Sequence, residues 1–379
     1  MRYLFHLLFV CSLFTAEAKK TICLNMIVKN ESHVILNSLS SVKDLIDYWV
    51  IVDTGSTDGT QEIIQNYMRD IPGELFERPW LNFEVNRNQA LDLAKDKCDY
   101  VWFMDADEEL MRFEDFHLPD LSKDSYQFTI RQVGHNLDYG RILIIDPKKE
   151  WRWKGVVHET LLSDRAKTWE LVKHCVILSH TTGSRSSDPQ KYLKDAKLLE
   201  KALEEAPDNT RYVYYLAQSY LNVPDYPLAL KWYEKRSKMQ GWDEEIFHSL
   251  LQVGVLQEAL HMPPEIFTQS YLKAYENRPS RVEPLYHLIR HHIYSKNYYM
   301  GYVLSKYALP IPKSNDATFV SYWMYDWGIL LQFAECSYCL GKYDEAKEAL
   351  DLLISKPDIP QEFMIAIQKN REKLVYKEN

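Results

Sequence analysis

The chain lacks any long run of lysine and arginine. Its 45 basic residues face 54 acidic ones, for a formal charge of −9 over 379 residues and a pI near 5.8. Without a basic stripe to neutralise phosphates it is not a nucleic-acid binder, although one locally held phosphate remains allowed. Cysteine is sparse: Cys11 sits in the apolar start, leaving Cys23, Cys98, Cys175, Cys336 and Cys339. Five in a body this size excludes a disulfide scaffold. Cys336 and Cys339 form a C-x-x-C with no second pair nearby, in a stretch that reads as helix, so zinc is disfavoured. The apolar start, Tyr3–Phe14, is shorter than the roughly 20 residues that span a bilayer. No G-x-G-x-x-G follows a strand and no G-x-x-x-x-G-K-[ST] occurs, which argues against a dinucleotide fold and a P-loop enzyme.

What is present has an ordinary globular balance, 46% hydrophobic and 26% charged, in a length that suits two or three domains. Arg2, the apolar run and Ala16-Glu17-Ala18 read as a signal peptide over residues 1–18. That implies the secretory pathway, in an ER or Golgi lumen or outside the cell; a misread leader would leave the protein cytoplasmic. Asn30-Glu31-Ser32 is a glycosylation sequon, and it conflicts with the ligand site placed on the same residues below.

Two textures meet near Ser187. Over 20–187, "TICLNMIV" (21–28), "YWVIVD" (48–53), "ELFERPW" (74–80) and "YVWFMD" (100–105) read as strands. Helical segments Glu31–Leu45, Thr60–Arg69 and Val85–Lys97 separate them, the alternation of an α/β domain with a mostly parallel sheet. "SYQFTIRQ" (125–132), "RILIID" (141–146) and "HCVILSH" (174–180) add further strands. Over 188–379 the pattern is helical. Tyr192, Ala196, Leu199 and Leu203 share one helix face. Ala217, Tyr220, Ala229 and Tyr233 have the small-and-aromatic spacing of a tetratricopeptide repeat, and Ala334 and Ala346 keep the same interval as Ala217 and Ala229. Three or four stacked helical hairpins are expected, an all-α tetratricopeptide-like solenoid able to offer a protein partner a concave surface.

"VIVDTGSTDGT" ends a strand on Asp53 and turns through Gly55 and Gly59, with Asp58 expected to cap the next helix and Gln61 to partner it. In open parallel sheets ligands bind beyond the carboxyl ends of the strands. Three such ends are polar here: Lys29-Asn30-Glu31, Asp53 and "FMDADEEL". Asp105 and Asp107 follow a strand directly and can aim at one side, where they repel each other unless a cation or proton intervenes. Oxygen ligands of this kind suit Mn²⁺ or Mg²⁺ bound to a diphosphate. The competing reading is a solvated acidic loop, with Glu108 and Glu109 alongside. Asp53 on the same rim favours the metal.

In order, "MIVKNE", "VIVDTGSTDGT", "NRNQALDLA" and "FMDADEEL" resemble glycosyltransferase family 2 of the GT-A fold, in the branch with tetratricopeptide-like helices behind the catalytic domain. The resemblance spans roughly Thr21 to Ser184. It implies inverting, metal-dependent transfer of a sugar from a nucleotide-diphosphate donor to a hydroxyl of a glycan or protein acceptor. It further implies that Asp53 contacts the base, with Asn30 or Glu31 lining the pocket. Asp105 and Asp107 would form the D-x-D pair, Asp107 on the metal itself, and His180 would complete the metal shell. Arg87 and Asn88, opening a helix, would meet the donor phosphates, or Arg87 would face solvent. "WRWKGVVHETL" departs from the family's x-Glu-Asp motif; Glu159 stands as general base, with His158 second. Trp151 and Trp153 read as core. Two rivals remain, a catalytically inactive domain serving as a repeat-based scaffold and a nucleotidyltransferase, the latter lacking its basic phosphate loop.

Overall fold

A computed structural model describes residues 19–134, 138–317 and 319–375; the expected signal peptide lies outside them. The chain divides into two compact units after Lys191.

The first unit is built on a mixed, mainly parallel sheet. Its strands are β1 (Ile22–Val28), β2 (Tyr48–Asp53), β3 (Gly73–Glu77), β4 (Tyr100–Phe103), β5 (Glu108–Arg112), β6 (Ser125–Gln132) and β7 (Asp138–Ile145). There follow β8 (Arg152–Lys154), β9 (Thr160–Leu162), β10 (Trp169–Leu171) and β11 (Cys175–Ser179). The order is β3-β2-β1-β4-β7-β6-β11-β5, with β10 on β6 and with β8–β9 as a separate hairpin. β3, β2, β1 and β4 run parallel. β7 is antiparallel to both β4 and β6, while β11 is parallel to β6 and antiparallel to β5. The carboxyl ends of β1, β2, β4 and β11 and the start of β5 therefore lie on one edge. β1, β2 and β4 are buried almost throughout, because helices α1 (Ile35–Val42), α2 (Thr60–Tyr67) and α3 (Phe83–Ala94) cross between parallel strands and shield the sheet. Leu24, Met26, Ile51 and Trp102 centre the larger core on one side. Cys23, Val50, Val101 and Trp153 form a smaller cluster with Leu91 of α3.

Several expected details change. Asp58 does not cap α2. Gly59, left-handed at φ +89°, is the N-cap, and Asp58 accepts from Thr60 N at 3.1 Å and from Ser32 N at 3.0 Å. The carboxylate thus stitches the β2–α2 loop to the β1–α1 loop. α3 begins at Phe83, capped by Asn82 accepting from Val85 N at 2.8 Å, so Arg87 and Asn88 lie inside the helix rather than opening it. β5 stands where the competing reading has a solvated acidic loop: Glu108 is only 2% exposed.

The second unit is helical. Among the described residues its helices are α4 (Lys191–Glu205), α5 (Thr210–Asn222), α6 (Tyr226–Arg236), α7 (Asp243–Ala259) and α8 (Pro264–Asn277). They continue as α9 (Glu283–Tyr294), α10 (Tyr298–Ala308), α11 (Ile329–Cys339), α12 (Tyr343–Ile354) and α13 (Gln361–Val375), with a π-helical turn, Met324–Gly328, before α11. Consecutive helices pack as hairpins α5–α6, α7–α8, α9–α10 and α11–α12, a solenoid of tetratricopeptide type. Ala217, Tyr220, Ala229, Tyr233, Ala334 and Ala346 are all buried, where small residues let the helices approach and rings fill the gaps. On α4, Ala196, Leu199 and Leu203 are buried, but Tyr192 departs from the expected face at 37% exposed. Cys336 and Cys339 lie within α11 and form no disulfide among the described residues.

Candidate active site

The polar edge starts at β2. Asp53 is 1% exposed; its Oδ1 accepts from the amides of Gly55 (2.8 Å) and Ser56 (2.9 Å). Gly55, at φ +107°, makes this tight reversal available. Oδ2 of the same carboxylate is buried with no hydrogen-bond partner. Leaving such an atom unmatched costs about 1–3 kcal/mol, so this edge is built to receive a donor. Asn30, itself left-handed at φ +56°, accepts from Thr57 N at 2.8 Å, and its own amide donates to Ser56 Oγ at 2.8 Å. Its carbonyl oxygen thus holds the glycine loop in place.

At the end of β4 the two aspartates diverge in environment. Asp105 accepts from Arg87 at 2.5 Å and lies 3.6 Å from Arg141. Partial burial works to raise its pKa, but these guanidinium groups outweigh it and hold the carboxyl below its ordinary value. Arg141 also pairs with the buried Glu108, whose carboxylate accepts from Asp105 N at 3.0 Å. Among the described residues Asp107 makes no ion pair with a lysine or arginine, and only the neighbouring His180 works to lower its pKa by charge. Its Oδ2 accepts from Gly183 N at 3.1 Å, and burial and then Asp105 push its pKa up. Glu31 is similar: Oε2 accepts from Ser184 N at 3.1 Å, and burial, with Asp107 and Asp58 adding, raises it to about 7. A Cβ built on Gly183 would sit 3.0 Å from Asp107 Oδ2 and 3.4 Å from Glu31 Oε2, so these two carboxylates converge on the side-chain-free face of that glycine.

His180 follows β11 on the same edge. Its backbone N–H donates to Asp107 O at 3.0 Å, while its Nε2 lies 3.5 Å from Glu109. The β8–β9 hairpin supplies Glu159, whose Oε1 accepts from Arg87 Nε at 2.5 Å. Arg87, read as solvent-facing or phosphate-binding, is neither exposed nor unpaired: its side chain is 11% exposed and its Cζ lies 4.9 Å from the Trp153 ring centroid. Burial opposes its charge, but Asp105 and Glu159 more than compensate and raise its pKa. Asn88 is spent on β8, exchanging hydrogen bonds with the Trp153 backbone at 2.9 and 3.0 Å, which anchors the hairpin to α3. His158, at φ +52°, is exposed next to Glu159. Trp151 and Trp153 are buried.

The edge thus brings Asp105, Glu108 and Glu159 onto two arginines and leaves Asp107 and Glu31 holding amides alone. Among the described residues no three His, Cys, Asp or Glu side chains are grouped to hold a metal by themselves. A Mg²⁺-type ion does not require that: it keeps waters and takes one or two carboxylates together with substrate phosphates. Asp107 fits that role by its oxygen chemistry and its lack of a paired cation. Asp105, committed to Arg87, fits it poorly. Glu108, Arg141 and the 183–184 amides escaped the sequence reading. The one available signal was an arginine opening the apolar strand "RILIID".

Residues 23–114 match the family model described as Glycosyl transferase family 2. Over these residues the first unit is similar to family 2 glycosyltransferases. The match to this family takes in β1 to β5, with Asp53, Arg87, Asp105 and Asp107, and ends before Glu159 and His180. The chain is 35% identical over 100 residues to a TPR repeat-containing protein of Synechococcus elongatus, covering 26% of this chain and 23% of that protein. It is 24% identical over 209 residues to the glycosyltransferase SunS of the Bacillus subtilis SPbeta prophage, covering 52% and 49%. It thus spans less than half the length of either. The crystal structure of S. aureus TarS 1–349 in complex with UDP gives a TM-score of 0.36 at 14% identity, over 71% of this chain and 91% of that one.

Proposed function

We propose that the protein is an inverting, metal-dependent glycosyltransferase that moves a sugar from a nucleotide-diphosphate donor to an acceptor hydroxyl of a glycan or protein. The observation that carries this reading is the buried, unpartnered Oδ2 of Asp53 at the carboxyl end of β2. A nucleobase N–H donating to it would satisfy the one polar atom the loop leaves unmatched. The donor diphosphate then extends along the edge toward Asp107, which with His180 would hold a Mn²⁺ or Mg²⁺ ion. Bound there, the ion supplies neutralisation of the charge that the departing diphosphate gains.

Glu159 accepts the acceptor hydroxyl's proton as the oxygen attacks the anomeric carbon and the bond to the diphosphate breaks. A single displacement of this kind inverts the anomeric centre. Glu159 suits the task because the β8–β9 hairpin is clamped to α3 by Asn88 and by Gly155 N donating to Glu84 at 2.7 Å. A base carried on an anchored hairpin costs little ordering entropy in the transition state.

The test is a panel of UDP-, GDP-, CDP- and TDP-hexoses assayed for donor hydrolysis with and without Mn²⁺, beside thermal shifts with the free diphosphates. One nucleotide should stabilise the protein, and Asp53→Asn should lose that stabilisation. Asp107→Asn should abolish the Mn²⁺-dependent hydrolysis. Hydrolysis that survives in Asp107→Asn removes the metal from this reading. No nucleotide binding by the wild-type protein removes the reading altogether and leaves the scaffold role.

A further inference from the structure

Arg87 joins two parts of the site that come from distant segments of the chain. Its Nε donates to Glu159 Oε1 and an Nη donates to Asp105 Oδ1, both at 2.5 Å. The guanidinium lies over the Trp153 ring, its Cζ 4.9 Å from the centroid, and that ring packs edge-on against Phe103, the last residue of β4, at 5.1 Å between centroids. Guanidinium geometry is rigid and planar, so two bonded carboxylates fix its orientation and it fixes theirs. Glu159 is held by one oxygen only, since Oε2 accepts no hydrogen bond from the described residues.

We propose that Arg87 is a positioning residue for the transfer: it grips Glu159 by Oε1 so that Oε2 is turned to the acceptor hydroxyl, at a place set from Asp105 on the donor side. This rests on the reading of Glu159 as the base. The obvious alternative duty, binding the donor diphosphate, would require the guanidinium to release a partner. Releasing Glu159 strands a carboxylate only 12% exposed without its cation, which is costly, and releasing Asp105 leaves it only the longer 3.6 Å contact to Arg141. A lysine at this position brings one point charge and cannot bridge both carboxylates.

A double-mutant cycle on the full-length protein tests this, using UDP-glucose, UDP-N-acetylglucosamine or GDP-mannose, whichever the wild type turns over fastest, and the matching free diphosphate as binding probe. Arg87→Lys should lower kcat about 10²-fold, the scale of a misplaced catalytic group, while the Kd of the diphosphate stays within twofold. In the Glu159→Gln background the same substitution should change residual transfer less than twofold, because a residue acting through Glu159 has nothing left to position. Trp153→Phe, which keeps the guanidinium and trims the ring under it, gives a milder loss that also vanishes in that background, and it serves if Arg87→Lys does not fold. A diphosphate Kd weakened tenfold or more, or losses that multiply in the double variant, would place Arg87 on the phosphates and overturn the proposal. Wild-type protein that binds a diphosphate yet fails to turn over any donor would overturn the transferase reading itself, and this inference with it.

Discussion

Substituting Gly155 tests whether the hairpin that carries Glu159 can give way. Gly155 sits at φ +117°, and a Cβ there would meet the Glu159 Cα at 3.2 Å and Val157 O at 3.4 Å. The first contribution is backbone strain, about 1–3 kcal/mol for an L residue so placed. The second is steric. The obstructing atoms are backbone, so no side chain can rotate out of the way, and relief comes only by moving the segment that ends in Glu159. Gly341→Ala is the control: φ +76° with nothing within 4 Å, so it carries strain without displacement. Both variants should lose a few degrees in Tm, taking roughly 2–4 °C per kcal/mol for folded bodies of this size. Only Gly155→Ala should lose transfer, by about 10²-fold if Glu159 shifts by around 1 Å, with diphosphate affinity intact. Differential scanning calorimetry and initial rates, measured well below both Tm values, separate the two. Wild-type turnover in Gly155→Ala would refute the claim that this turn sets the base.

Glu31 predicts a pH dependence. Its folded pKa, about 7, lies above the ordinary 4.5, so the folded state favours the protonated form. In metal-free protein that contribution is complete below pH 4.5 and lost as pH rises through 7; urea melts at pH 5 and pH 8 should show it, and Glu31→Gln should flatten it. Arg141→Met should cost about 3 kcal/mol by stranding the buried Glu108, read as a lower urea midpoint at unchanged slope. In the helical unit, Gly254→Ala would put a Cβ 2.7 Å from the buried Tyr271 ring, and about 1–3 kcal/mol of overpacking should follow, measurable by thermal melting.

Much of the fold was legible because parallel strands announce themselves: "YWVIVD" is β2 residue for residue, and "SYQFTIRQ" is β6. The strand directions put Asp53, Asp105, Asp107 and His180 on one edge, while Asp105 is taken up by Arg87. What stayed hidden was decided by partners far apart in sequence. Nothing local in "MDADEEL" tells that Glu108 turns inward, since its burial depends on Arg141 arriving from β7. Arg87 reads in sequence as a donor-phosphate ligand or a solvent-facing arginine because the carboxylate that pairs with it, Glu159, is supplied 72 positions later. The capping difference at Asp58 has another origin: Gly59 takes the cap position, so one Asp58 oxygen accepts from Thr60 N at the start of α2 and the other from Ser32 N of the neighbouring loop.

The polar edge of the sheet is tied together in part by main-chain atoms. Thr54 N bonds Val28 O at 2.9 Å, Glu108 N bonds Asp105 O at 3.1 Å and His180 N bonds Asp107 O at 3.0 Å, while Ser179 pairs with Glu108 across β11 and β5. None of these links depends on which side chain stands at 53, 107 or 180. Chemistry and architecture are therefore only partly coupled at those positions: the strand-end links would survive loss of the reactive groups, while the loop amides that Asp53 and Asp107 accept from would need new partners. Silenced variants should thus be well suited to trapping a donor for crystallography, and duplicated copies of the protein are free to trade turnover for recognition without first having to fold anew.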